Sequence, residues 1–153
     1  MQGTEINGLV NEFCRLRDRQ YAVYSKCAKQ HGLTVNELFV LDILWFSPEG
    51  CTQKEICKRL SANKQTIAAI TGRFLKKGYV VLEEVPEDRR NKHVRFTGTG
   101  KAYAQGIIPP AADAENRAME QLGVKNAAEL VHLAAKLTEN MEKQFSMIAD
   151  QNN

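Results

Sequence analysis

Asn63, Lys64, Gln65 and Thr66 follow one another near the middle of the chain. Two amides, an ammonium and a hydroxyl make a set suited to hydrogen bonding rather than to bond-breaking chemistry. Asn and Gln can each pair bidentately with adenine, and Lys can reach guanine or a phosphate. Arg73, Lys76 and Lys77 follow, cations suited to phosphates. Further on, Asp88, Arg89, Arg90 and Lys92 cluster, with His93 and Arg95 just beyond. A narrow, electronegative groove favours an inserted guanidinium. Asp88 has the wrong sign for touching a polyanion, unless its carboxylate orients a guanidinium through a bidentate pair.

The charge distribution agrees with this chemistry. The 153 residues carry a formal net charge of +3. From Lys54 to Lys101, however, twelve Lys and Arg face five Asp and Glu, a net +7, while the flanks hold nine basic and thirteen acidic residues, a net −4. No acid occurs between Glu55 and Glu83. A basic centre between acidic ends suggests a polyanion site, with the flanks serving another purpose.

Helices and one hairpin must position these groups. Ile6, Leu9, Val10, Phe13, Leu16, Tyr21, Tyr24 and Cys27 recur at helical spacing, predicting a long first helix with Gly32 near its end. Thr34 and Glu37 form a capping box opening a helix that buries Val35, Leu38, Phe39, Leu41, Leu44 and Trp45 and stops before Pro48. Thr52 and Glu55 form another, starting a short helix with Ile56 and Leu60 inside. After Ser61-Ala-Asn63 comes Lys64 to Lys77, with an inner stripe of Ile67, Ile70, Phe74 and Leu75 and a C-terminal Gly78. Two short helices joined by about four residues read as a helix-turn-helix. Tyr79–Val85 and His93–Thr97 read as strands, with Pro86–Lys92 as a polar, charged tip between them. Thr99 and Gly100 open a further helix that Pro109-Pro110 must kink or interrupt. It resumes to Gly123, and Asn126 to Glu129 cap a last helix with Leu130, Leu133, Leu137, Met141, Phe145 and Ile148 on one side. The fold class expected is mainly α with a small β-hairpin wing.

Other chemistries find little support. His31, His93 and His132 are scattered without metal-ligand spacing, and no phosphate loop, nucleophile elbow or dinucleotide fingerprint occurs. Neither enzymatic activity nor a cofactor is expected. The four cysteines lack CxxC spacing and read as reduced thiols. The first thirteen residues contain no basic region followed by an apolar run, so no signal peptide is expected. The most apolar stretch, Leu38–Phe46, is short and interrupted by Asp42, which excludes a spanning helix. A cytoplasmic location follows as the expectation.

Four segments, in order and at matching separations, resemble one family. Leu33-Thr-Val-Asn-Glu37, continuing to Leu44, is similar to the "LT, two residues, Q/E, then VLxxL" segment of the MarR transcriptional regulators. Leu60 through Thr66-Ile67 and on to Lys76-Lys-Gly-Tyr-Val80 resembles that family's recognition helix and its exit. Asp88-Arg-Arg90, followed by Val94, Phe96, Thr97 and Gly100, resembles its wing. The resemblance implies a single domain over 1–153, with a winged helix-turn-helix at 33–99 and dimerisation helices at 1–31 and 100–153. It implies a homodimer on a near-palindromic duplex operator, with Arg90 in the minor groove and Asp88 steadying the wing. Ala69 and Gly72 depart from the polar or acidic residues common at those places.

The resemblance also implies control by a small aromatic or anionic ligand, for which Arg17, Tyr21, Tyr24, Trp45 and Phe46 are residues of suitable type. Core packing is the alternative for the aromatics. Cys14 resembles the sensor thiol of the family's peroxide-responsive branch, and Cys51, ahead of a helix N-terminus, is a second redox candidate; inert buried thiols are the alternative. Asn63 reads either base edges or its own helix N-terminus. A different class, a helical dimerisation module for a protein partner, leaves the concentrated basic residues unexplained.

Overall fold

The computed structural model describes residues 2–151; Met1, Asn152 and Asn153 lie outside the described residues. The chain divides into two compact units, one ending at Pro109 and the other beginning at Pro110.

In the first unit, α1 (Gln2–Gln30) runs to a turn in which Gly32 takes a φ of +69° and Leu33 N–H donates to Ala28 O at 2.9 Å. A left-handed residue here closes the helix by satisfying its last carbonyls. Helix α2 (Val35–Trp45) starts at the capping box: Glu37 N–H donates to Thr34 Oγ1, and Thr34 N–H to the Glu37 carboxylate, both at 3.2 Å. Val40 and Ile43 are buried along with Leu38, Leu41 and Leu44, whereas Val35, Phe39 and Trp45 are only half-buried. A helix wrapped on most sides has no single stripe, so helical periodicity alone picks the wrong members.

Strand β1 (Cys51–Thr52) leads into α3 (Gln53–Leu60), capped by Thr52 and Glu55 at 3.1 and 2.7 Å. Ser61 turns the chain in the left-handed region at φ 47°, and α4 (Lys64–Lys76) follows. Gly78 at φ +72° ends α4 and Tyr79 N–H returns to Phe74 O at 2.9 Å. Ile67, Ile70, Thr71 and Phe74 face the core; Leu75, expected there, is exposed, and Thr71 takes the buried place. Ile67, Ile70 and Phe74 form one apolar cluster with Leu41, Leu44, Ile56, Val80, Val94 and Ile108.

Strands β2 (Val80–Val85) and β3 (Asp88–Phe96) form the hairpin, and β1 pairs with β3 on its other side, giving an antiparallel sheet of order β1-β3-β2. Two-residue β1 carries no periodic signal, and the sequence reading missed it. The expected loop at Pro86–Lys92 is also shorter than read: only Pro86 and Glu87 turn, and Asp88 to Lys92 belong to β3. Between the pairs Glu83↔His93 and Val85↔Asp88, four β3 residues oppose one β2 residue, a large bulge at Arg89–Lys92.

Helix α5 (Gly98–Gln105) is capped by Thr97, not started at Thr99. A Cβ on Gly100 would overlap the carbonyl of Tyr79, so the helix crosses the strand entry there at backbone contact. The break before α6 (Ile108–Leu122) falls at Gly106 and Ile107; Pro109 and Pro110 lie in the first turn of α6, where their missing N–H groups cost no helical bond.

In the second unit, Gly123 at φ +82° separates α6 from α7 (Val124–Gln151). Asn126, expected as a cap, lies inside α7 and donates back to Leu122 O at 2.9 Å. Leu130, Leu133, Leu137, Met141, Phe145 and Ile148 along α7 are all exposed. In the first unit, Ile6, Leu9, Val10, Phe13 and Leu16 of α1 are exposed as well. No helix among the described residues is long and apolar enough to cross a membrane.

Candidate nucleic-acid interface

A cleft of about 550 Å³ opens where the N-termini of α3 and α4 approach the hairpin. Gln53 and Lys54 come from α3, Lys64 from α4, and Arg90, Asn91 and Lys92 from the bulge of β3, with Thr52, Cys57 and Leu82 completing the wall. Four cations and no carboxylate line it. Two helix N-termini add partial positive charge to the same place. Lys64, Arg90 and Lys92 stood apart in the sequence and are brought together here. Gln53, Lys54 and Asn91 were not singled out, although Lys54 and Gln53 sit in the first turn of a capped helix, the position from which side chains reach outward.

On α4, Asn63 is the helix cap: its Oδ1 accepts from Thr66 N–H at 2.8 Å. Gln65 is exposed and Thr66 half-buried. Past them, Ala68, Ala69 and Gly72 give α4 an outer face of small residues, and a Cβ on Gly72 would meet nothing within 4 Å. Arg73 does not stand free at the surface. Its Nε lies 3.6 Å from the carboxylate of Glu37 on α2. Lys76 is exposed, and the ammonium of Lys77 lies 5.9 Å from the centre of the Tyr79 ring.

The wing departs from expectation at Asp88. Its carboxylate accepts from Asn91 Nδ2 at 3.0 Å, and among the described residues it forms no ion pair with an arginine. That hydrogen bond, joined by the backbone N–H groups of Arg90 and Asn91, holds the carboxyl below its ordinary range. Asp88 therefore folds the bulge back on itself, and among the described residues the guanidinium of Arg90 forms no ion pair with a carboxylate. Arg89 is exposed beside it. At the base of the hairpin, Arg95 pairs with Glu83 across the strands at 2.9 Å.

The residues suggested for a small ligand have separate surroundings among the described residues. Arg17 pairs with its neighbour Asp18 at 3.1 Å, and Tyr21 and Phe46 are exposed. Tyr24 packs edge-on against Phe39, with ring centres 5.4 Å apart. Trp45 lines a small cleft of about 180 Å³ with Arg95, Phe96 and Lys101. Among the thiols, Cys14 is half-buried on α1. Cys51 is buried in β1, and burial pushes its thiol up to about 11; the nearby Glu55 carboxylate adds to the rise, opposed in part by Arg59 and a Ser47 hydrogen bond. A sensor thiol needs the opposite shift. Among the described residues, no group of three His, Cys, Asp or Glu is arranged to hold a metal ion.

These elements have counterparts in known proteins. The family model described as "MarR family" matches residues 31–91, the segment from the end of α1 through the helix-turn-helix to the bulge. The HTH-type transcriptional regulator YkoM of Bacillus subtilis is 27% identical over 110 residues, which is 71% of this chain and 70% of that one. The structure of NMB1585, a MarR family regulator from Neisseria meningitidis, is 28% identical, superposes with a TM-score of 0.73, and covers 95% of this chain and 97% of that one. MepR of S. aureus, solved as a DNA complex, has the same fold at 16% identity and a TM-score of 0.70, over 87% of this chain and 97% of its own. Over residues 31–91 this chain is thus similar to the MarR family, and its overall fold is that of solved MarR family winged helix-turn-helix regulators.

Proposed function

We propose that the protein is a cytoplasmic homodimer that represses transcription by binding a near-palindromic duplex operator and lets go when a small aromatic or anionic molecule binds. The observation that carries the DNA-binding part is the cleft: Lys54, Lys64, Arg90 and Lys92 converge from three separate elements with no acid among them. In this reading Lys64, Gln65 and Thr66 meet base edges in the major groove, and Arg90 enters the minor groove with Arg89 and Lys92 beside it. Lys76 and Lys77 meet phosphates. Asn63 serves first as the cap of the reading helix, which fixes where Gln65 points. Asp88 steadies the wing through Asn91. The exposed apolar residues of α1 and of α7 support a second copy as their cover, since surface of that kind is costly to leave in water.

A redox-regulated variant of this reading rests on Cys14, because the raised thiol of Cys51 is protonated at neutral pH. Mobility shifts of mixed-sequence duplex at increasing salt test the central claim. Retention at low salt that falls by about 0.9 in log K per neutralised phosphate, per decade of salt, is the expected result. A chain that acts only as a helical module for a protein partner retains no duplex at any salt.

A further inference from the structure

Resting on the DNA-binding reading, we infer that Arg73 is a positioning residue, the counter-charge that lets α4 seat over the buried Glu37 carboxylate, and not a contact to phosphate. Arg73 lies on the basic side of the reading helix, where its type alone suggests DNA. Its partner changes that assignment. The Glu37 side chain is only 11% exposed, against 50% for Arg73. One oxygen of that carboxylate accepts from Thr34 N–H at the start of α2, and the other faces Arg73 at 3.6 Å. Tyr103 of α5 lies within electrostatic reach of the same carboxylate: burial raises its hydroxyl pKa, the neighbouring Tyr79 raises it further, and Glu37 adds to both. Tyr103 in turn stacks on Tyr79, just past the end of α4, with ring centres 4.4 Å apart.

Glu37 thus sits where α2, α4 and α5 converge, and Arg73 is the cation that the structure pairs with it. A carboxylate taken out of water needs a counter-charge, and stripping its partner leaves it buried and uncompensated. Arg73 is committed to that task. Moving its guanidinium to a phosphate would strip Glu37 of its counter-charge at the moment DNA binds. The outer face of α4 is left to the residues around Gln65 and to the small side chains beyond.

The test is a rescue. Full-length wild type, Arg73→Met, Glu37→Gln and the double variant are compared by thermal melting and by anisotropy, at several salt concentrations. The probe is a labelled duplex selected from a random pool with the wild-type protein. Gln at 37 keeps an acceptor for Thr34 N–H and removes only the charge. Arg73→Met is expected to lower both melting temperature and affinity while leaving the slope of log K against log salt unchanged. Adding Glu37→Gln is expected to restore most of both losses, although Glu37→Gln alone changes affinity little. A direct phosphate contact gives another pattern: the slope falls by about 0.9 per lost contact, or about 1.8 per dimer. The double variant then binds as weakly as Arg73→Met, and that result overturns the inference. Failure of the wild type to retain any duplex sinks the DNA-binding reading instead; the melting cycle still decides whether Glu37 and Arg73 are coupled.

Discussion

Removing an acid that stands beside a polyanion site ought to tighten binding on electrostatic grounds alone. Asp88 is such an acid, and the geometry argues the opposite sign, because its carboxylate holds Asn91 and the bulge that presents Arg90. We expect Asp88→Ala to weaken duplex binding, Asn91→Ala to do the same, and the pair to be less than additive in anisotropy titrations. Both side chains are exposed, so melting should hardly move. Asn63 and Gln65 separate differently. Asn63→Ala removes a cap and should cost about 1 kcal/mol of stability, whereas Gln65→Ala should leave melting unchanged and relax base preference at one operator position. Cys51 gives a pH signature. Its folded pKa, about 11, lies above the unfolded value near 9, so the unfolded chain releases the proton first. Stability from this group is full below pH 9 and declines between 9 and 11; the difference between wild type and Cys51→Ala denaturation midpoints should show that decline. Residue types at the site were readable from sequence, but partners were not. Nothing in the order of residues announces that Asp88 turns to Asn91 rather than to an arginine, because an exposed turn chooses among near-equal donors by backbone geometry.

Among the elements, the capped helices were the most legible. Thr34 with Glu37, and Thr52 with Glu55, are local chemical agreements that the rest of the fold only has to accept. Short or fully packed elements were not. Strand β1 is two residues long, and α2 is buried on most sides, so neither carries a clean period. Prolines misled in a specific way: Pro109 and Pro110 suggest a broken helix, yet their rings suit a first turn, and the break falls two residues earlier. Gly72 on α4 supplies a prediction at this scale. The site is open, so Gly72→Ala should raise stability by about 1 kcal/mol through helix propensity. If α4 lies in the major groove with its small outer face inward, the same methyl should weaken duplex binding. Opposite signs in melting and in anisotropy are the expected result; tighter or unchanged binding would remove Gly72 from the interface.

At the scale of the molecule, the winged fold was readable because local signals agreed with one another along the whole chain. The convergence of Lys54 with Lys64 and Arg90 was not, since it depends on long-range packing that brings three elements to one cleft. The uncovered residues of α7 are the testable remainder. Leu133 is 53% exposed and Phe145 65%. Leu133→Lys should convert a dimer into monomer in sedimentation runs at micromolar concentration while helix content stays high. A monomeric wild type would leave those residues without the proposed cover.

The pairing of Cys51 and Thr52 with Val94 and His93 has a kinetic consequence. The hairpin joins strands close in sequence and can close early, but β1 reaches its partner only after the two intervening helices and the first hairpin strand are in place. Closing so long a loop costs chain entropy before any contact repays it. We expect docking of β1 to come late on the folding path, so that the pairing of Thr52 in the sheet, unlike its local cap on α3, forms after the barrier. Losses there speed unfolding and hardly slow folding. The stretch that carries the base of the wing is in this sense the last seam to close and the first to open.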